Sequence, residues 1–196
     1  MIAIVDYGAG NITSVKRAIE HLGHACTVTS DPAFIEVADR IIVPGVGNFR
    51  ATTALCANGL APALANHISL DKPLLGICLG MQWLFLSSDE ASGIQGLGVF
   101  DGRCQSFPPA VRSPHVGWDQ LEIAGESRLL RGVQSGQFVY FTHGYRAPLV
   151  EATVAACDYG NHFSAAVEQG NLFGVQFHPE KSGETGLLIL ENFCAC

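Results

Sequence analysis

Short, uninterrupted apolar runs, each ending in a glycine- or proline-bearing turn and giving way to helix-period residues, leave this chain few ways to fold. Residues 2–5 form the first run, which stops at Tyr7-Gly8-Ala9-Gly10. Beyond it Ile12, Val15, Ile19 and Leu22 fall on one helical face, with Asn11 placed to cap the helix and Gly23 to end it. The unit recurs. Strands are expected over residues 25–29, 40–43 and 74–77, with a short helix opened by Ser30-Asp31-Pro32, a loop at Pro44-Gly45-Val46-Gly47, a helical stretch ending near His67 and a helix from Leu79 to near Ser87. A strand with no polar alternation must be covered on both faces, which crossover helices on a parallel sheet provide. From about Gly98 the rhythm changes to short strands over residues 99–103, 118–123, 138–141, 152–156, 164–167 and 172–177, several of them antiparallel, and Leu187 to Phe193 reads as a closing helix. The expected class is α/β: an open, mostly parallel sheet with helices on both faces and antiparallel strands added in the C-terminal half.

Composition narrows the function. At 196 residues and 48% hydrophobic, the chain is expected to form one domain over residues 1–196. Eleven basic against 18 acidic side chains give a net charge of −7 with no Lys/Arg cluster, so neither nucleic acid nor an anionic membrane surface is expected as a partner. The longest apolar run, residues 74–86, is broken by Gly76, Gly80 and Gln82 and falls short of the ~20 residues needed to cross a bilayer. The first five residues reach Asp6 without the layout of a signal peptide. Seven irregularly spaced cysteines do not form a disulfide framework and point to a reducing cytoplasm. Cys194 and Cys196 lack a second ligand pair, and His21 and His24 are expected to face solvent, so no metal is implied.

Gly76-Ile77-Cys78-Leu79-Gly80 sits where a buried strand should pass into a helix, the spacing of a nucleophile elbow. A side chain at so sharp a turn stands above the sheet, and the flanking glycines let strand and helix approach. The helix start favours a thiolate there, and the N–H of Leu79 is free to meet negative charge on an attacked carbonyl oxygen. The other six cysteines are read as packing residues. Gln176-Phe177-His178-Pro179-Glu180 supplies the partners: in extended chain His178 and Glu180 project to one side, so the carboxylate can hold the imidazole's tautomer. Cys78, His178 and Glu180 then make a triad. Gly8-Ala9-Gly10 hints at a dinucleotide site, but Thr13 occupies the third glycine position.

These segments together resemble the class I glutamine amidotransferases over nearly the whole chain. Asp6-Tyr7-Gly8-Ala9-Gly10-Asn11, the 44–47 loop, the elbow extended to Met81-Gln82, Pro114-His115-Val116-Gly117-Trp118 and the His-Pro-Glu segment extended to Lys181-Ser182 narrow it to the branch whose ammonia passes to a cyclase subunit in histidine biosynthesis. The resemblance implies a flavodoxin-like sheet, hydrolysis of L-glutamine through a cysteine thioester, no cofactor, and a heterodimer with a β/α-barrel cyclase. It also implies that Val46 and Gly47 belong to an oxyanion strand whose peptide can rotate and is turned to its donating orientation by partner and acceptor, leaving the isolated subunit nearly inactive. By the same resemblance Gln82 holds the substrate, Glu90 receives its α-amino group, and His143, Gly144 and Tyr145 line its pocket. Asn11, Trp118 and Lys181 are candidates for the partner-facing surface. Two residues depart from the family pattern: Asp119 where Asn is usual, and Gly144 where a larger residue is common. Two other functions fit the same residues, a glutaminase serving a different ammonia acceptor and a catalytically silent binding module in which Cys78 is structural.

Overall fold

The computed structural model describes residues 1–196. The first half contains β1 (Ile2–Val5), α1 (Ile12–His21), β2 (Cys26–Thr29), α2 (Pro32–Val37), β3 (Arg40–Gly45), α3 (Thr53–Ala57), α4 (Leu60–Ser69), β4 (Leu74–Cys78) and α5 (Leu79–Trp83). The second half contains β5 (Phe85–Ser88), β6 (Phe100–Ser106), β7 (His115–Gln120), β8 (Glu122–Ile123), β9 (Phe138–His143), β10 (Tyr145–Arg146), β11 (Thr153–Asp158), β12 (His162–Gln169), β13 (Leu172–Val175) and α6 (Gly183–Cys194).

Eight strands form one sheet in the order β2-β1-β3-β4-β13-β12-β11-β8, parallel from β2 to β13 and antiparallel from there to β8. This is the expected mostly parallel α/β arrangement. The apolar runs explain it: every residue of β1 and of β4 is buried. Their alternate side chains feed two cores. Ile2, Ile4, Leu75 and Ile77 pack with Val15 and Ile19 of α1 and with Ile189, Leu190 and Phe193 of α6. Ala3, Val5 and Leu74 pack on the opposite face with Ile35 of α2 and Leu60 and Leu64 of α4. Each fully buried Ile or Leu contributes roughly 1.5–3 kcal/mol over its exposed state. β5, β6 and β10 make a small second sheet, and β7 and β9 an antiparallel ribbon.

Four local expectations change. The helix after Cys78 stops at Trp83, and residues 85–88 form a strand instead of continuing it. The carbonyls of Trp83, Leu84, Phe85 and Leu86 are all taken by backbone N–H groups of residues 96–100, which helix propensity in the 79–87 segment cannot foresee. β3 runs on through Pro44 and Gly45, read from sequence as loop; beyond Ile42 it has only β4 beside it, the edge-like setting in which proline is tolerated. The strand expected over 118–123 is two strands, since buried Leu121 bonds to Gln137 while Glu122 and Ile123 pair with β11. His24 is half-buried, not solvated, its Nε2 3.0 Å from the Glu191 carboxylate on α6. All seven cysteines are free thiols, and no helix is long and apolar enough to cross a membrane.

Candidate active site

β4 runs directly into Cys78, which takes φ 53° and ψ −106° before α5 begins. A non-glycine residue held there costs on the order of 1–3 kcal/mol and persists only where its surroundings demand it. They do so through close backbone contact: a Cβ at Gly80 would lie 1.9 Å from the Val43 carbonyl oxygen, and one at Gly76 would lie 2.7 Å from the Gly80 carbonyl. The first turn of α5 therefore rests on β3 and β4 with no side chain between them, and the chain can reverse only at Cys78. With one turn of helix behind it, the local electrostatics come mainly from the unpaired N–H groups at the start of α5.

The elbow geometry suggested a thiol standing open above the sheet, but Cys78 is only 5% exposed. β9 and the segment after it lie across the elbow, placing the Thr142 carbonyl oxygen 3.9 Å from Sγ. On another side Gln176 Nε2 lies 3.6 Å from the same sulfur.

His178 and Glu180 meet by a route other than the expected extended one. His178 is extended (φ −99°, ψ 97°), but Pro179–Lys181 is a tight 3-10 turn, closed by Lys181 N–H to the His178 carbonyl at 3.0 Å. Ser182 Oγ donates to that carbonyl as well, at 2.6 Å. The turn sets His178 Nδ1 2.9 Å from Glu180 Oε1, with both side chains 1% exposed. Because an ionised carboxylate only accepts, Nδ1 carries the proton and Nε2 is left for the thiol side. Burial disfavours the imidazolium, but the Cys78 and Glu180 side chains outweigh it and raise the His178 pKa to about 9. Nε2 nonetheless has no formed hydrogen bond in this resting state. Such bonds commonly tighten only when substrate is bound. Asn11, expected at the partner-facing surface and as a helix cap, makes no side-chain cap; its Nδ2 reaches inward to Glu180 Oε1 at 3.4 Å.

Of the residues expected to bind substrate, Gly47, Leu79, Gln82, Glu90, His143, Gly144 and Tyr145 line one narrow cavity with Cys78 and Thr142. Val46 does not line it, and its side chain is 36% exposed. The cavity measures about 30 Å³, narrow for a substrate side chain. Gln82 is 4% exposed, and its Nε2 donates to the Tyr145 carbonyl (2.8 Å) and to Gln176 Oε1 (3.0 Å). Glu90 Oε2 accepts from Phe49 N–H at 2.6 Å, and burial raises its pKa. Tyr7, fully inside, sets its unpartnered hydroxyl against Gly45 at the edge of this region.

Two features escaped sequence reasoning. Gln176 is a polar residue in an otherwise apolar run, two before His178; that mismatch was the available signal. The second is a buried ring cluster behind the pocket wall. His143 Nδ1 donates to the Tyr145 carbonyl at 2.9 Å, so its Nε2 accepts from His115 Nδ1 at 3.3 Å. Burial pushes the His143 pKa down to about 3, which keeps that ring neutral. His115 stacks between Phe141 and Tyr159 and sets Nε2 3.3 Å from the carboxylate of Asp119, one of the two family departures. The other departure, Gly144, has only Ser113 Oγ, at 3.9 Å, within 4 Å of where a Cβ would stand, so a Cβ would fit there. Trp118 is 54% exposed on the ribbon, edge-on to Tyr140, and exposed Lys181 holds its Nζ 5.7 Å over the same ring.

Comparison with known proteins gives a consistent result. The model of the glutamine amidotransferase class-I family matches residues 3–195. The imidazole glycerol phosphate synthase subunit HisH of Methanothermobacter thermautotrophicus is 46% identical over 194 residues, covering 98% of this chain and 97% of that one. The HisH subunit of Archaeoglobus fulgidus is also 46% identical, with the same coverage. Among solved structures, one described as a glutamine amidotransferase superposes with a TM-score of 0.77 at 20% identity, covering 99% of this chain and all of that one, a likeness of fold.

Proposed function

The chain belongs to the glutamine amidotransferase class-I family, and from that premise we propose that it is the glutaminase subunit of an imidazole glycerol phosphate synthase. Residues 1–196 act as a single amidotransferase domain. It hydrolyses L-glutamine to glutamate and passes the ammonia to a cyclase subunit of β/α-barrel form, which makes imidazole glycerol phosphate and an aminoimidazole ribonucleotide. Its relatives' role as synthase subunits supports the reading, and so does 46% identity to them over 98% of this chain. The observation that carries it is a strained cysteine in a cavity lined by Gln82 and Glu90, with a Glu180-held imidazole electrostatically coupled to its side chain.

Cys78 Sγ attacks the side-chain carboxamide carbon of glutamine. Charge gathers on the carbonyl oxygen, where the Leu79 N–H and a peptide N–H of the 46–47 segment can meet it. His178, charged and held by Glu180, gives its proton to the departing nitrogen, releasing ammonia and leaving a glutamyl thioester. The now neutral His178 takes a proton from water, whose oxygen attacks the thioester; glutamate leaves and the thiolate–imidazolium pair is restored. Because the cavity is narrow, glutamine entry involves movement of the 46–47 segment against the 142–145 wall. A partner can supply that movement. Trp118 and Lys181 flank Tyr140, whose carbonyl accepts the His178 N–H at 2.8 Å, so a surface docked on the ribbon pulls on the histidine's own backbone. The setting on this reading is the cytoplasm, where seven free thiols stay reduced.

The test is glutamate release by the chain mixed with its cyclase, with and without acceptor substrate. Release that rises when cyclase and acceptor are present supports the proposal. Failure of a diazo-ketone analogue of glutamine to label Cys78 in the mixed complex overturns it and favours a silent module; full turnover by the chain alone overturns the partner-driven part.

A further inference from the structure

Gln176 lies against the nucleophile, yet the chemistry above gives it no task. It is fully buried just past β13 and two residues before His178, on the same side of the chain. Its carboxamide is not free to turn. The Tyr145 carbonyl can only accept, so the Gln82 atom 2.8 Å from it is the nitrogen. The second hydrogen of that nitrogen reaches Gln176 at 3.0 Å, so the Gln176 atom there is its oxygen. Gln176 Nε2 is thereby left facing Cys78 Sγ at 3.6 Å. His143 takes the remaining lone pair of the Tyr145 carbonyl, so neither end of this relay has another arrangement open to it.

The sulfur thus sits between two polar groups of opposite demand. The Thr142 carbonyl at 3.9 Å can only accept, and so favours the protonated thiol. Gln176 presents an N–H, which bonds more strongly to a charged acceptor than to a neutral one. We propose that Gln176 is a positioning residue for the nucleophile: its carboxamide, oriented by the Tyr145 carbonyl through Gln82, holds the Cys78 sulfur toward the cavity and favours the thiolate over the thiol. The inference rests on the reading of Cys78 as nucleophile. The other ionisable groups around the sulfur are His178 with Glu180, the Tyr7 phenol, and Glu90 and His143 lining the cavity, and a change at Gln176 that adds no charge leaves the field of each of them in place.

Gln176→Leu makes that change, removing the N–H that faces the sulfur together with the oxygen that Gln82 donates to. Gln176→Glu keeps an oxygen for Gln82 but, ionised, sets a charged acceptor against the sulfur. The experiment follows alkylation of Cys78 by iodoacetamide in the complex with cyclase and acceptor, the state in which the cavity opens on the reading above, as a function of pH, read by peptide mass spectrometry, with exposed Cys56 as the internal standard. The reactivity profile of Cys78 is expected to move about one pH unit upward in Gln176→Leu, a tenfold loss of thiolate at a given pH, and further in Gln176→Glu, while Cys56 stays unchanged. In the active complex Gln176→Glu lowers kcat about tenfold with KM for glutamine little altered. Should Gln176→Leu fail to fold, the uncharged Gln176→Met decides. Profiles for folded Gln176→Leu, or for Gln176→Met in its place, that superpose on wild type overturn the inference and leave Gln176 a packing residue. The alkylation measurement needs no glutamine turnover, so absence of glutaminase activity in the wild-type complex would sink the functional reading without deciding this one.

Discussion

Gly186→Ala tests whether the triad is held by backbone packing remote from the reacting atoms. Gly186 lies in the second turn of α6, where a Cβ would stand 1.9 Å from the Pro179 carbonyl oxygen and 2.8 Å from the Ser182 Cβ. Real contacts of this kind do not fall below 3.0 Å, so helix and turn must separate by roughly 1 Å. The helix is the stiffer of the two. Ile189, Leu190 and Phe193 are fully buried in the core, and Asn192 Nδ2 donates to the Leu129 and Arg131 carbonyls at 3.0 and 2.8 Å. The displacement therefore falls on the Pro179–Lys181 turn, which joins His178 to Glu180. A misplacement of about 1 Å in a catalytic constellation costs on the order of 100-fold in rate. Stability changes far less: overpacking costs about 1–3 kcal/mol, while replacing a helical glycine with alanine returns roughly 1 kcal/mol. The net of about 0–2 kcal/mol corresponds to a drop in Tm of several degrees at most for a chain of this size. Glutamate release by the complex and a thermal melt measure the two effects, with Gly125→Ala as control because nothing stands within 4 Å of its Cβ position. A Gly186→Ala protein that melts near wild type and retains its full kcat would refute the reasoning.

Cys78→Ala should abolish glutamine-dependent synthesis by the complex, lowering glutaminase rate ~10⁴-fold or more, while synthesis from added ammonium salt persists; loss of both would indicate misfolding. Cys78→Gly should be more stable than Cys78→Ala by about 1–2 kcal/mol in a denaturant melt, because glycine relieves the φ of 53° that alanine must still adopt; equal stabilities would argue against strain at the elbow. The folded-state pKa of His178 is raised, so its contribution to stability is complete below 6.5 and lost as pH rises through about 9. Wild type should accordingly lose stability across that interval more steeply than Cys78→Ala, which lacks one of the two groups responsible; parallel pH curves would contradict the assignment. His143, held neutral by burial with a pKa of about 3, should show no titration shift between pH 5 and 8 in NMR spectra of ring-labelled histidine, and a midpoint in that window would disprove the buried ring cluster.

Much of this protein was legible in local patterns. Apolar runs at 2–5 and 74–77 fix strands covered on both faces, because a strand's burial is written in its own alternation or lack of it. The elbow was readable from Gly76 and Gly80, and the His178–Glu180 pair from two residues two positions apart, since each depends on groups close in sequence. What was not legible depends on atoms brought from far along the chain. The length of α5 is decided by N–H groups at 96–100 that take the carbonyls of residues 83–86. The burial of Cys78 is decided by β9, some sixty residues later, and the contacts of Gln176, Asn11 and Asp119 by which group the fold sets before each. Spacing along the chain encodes which face a residue presents. Which group meets it there, and so whether a buried amide donates or accepts and whether a thiol stands open or covered, follows only from three-dimensional proximity, where hydrogen-bond satisfaction in a closed interior leaves one arrangement.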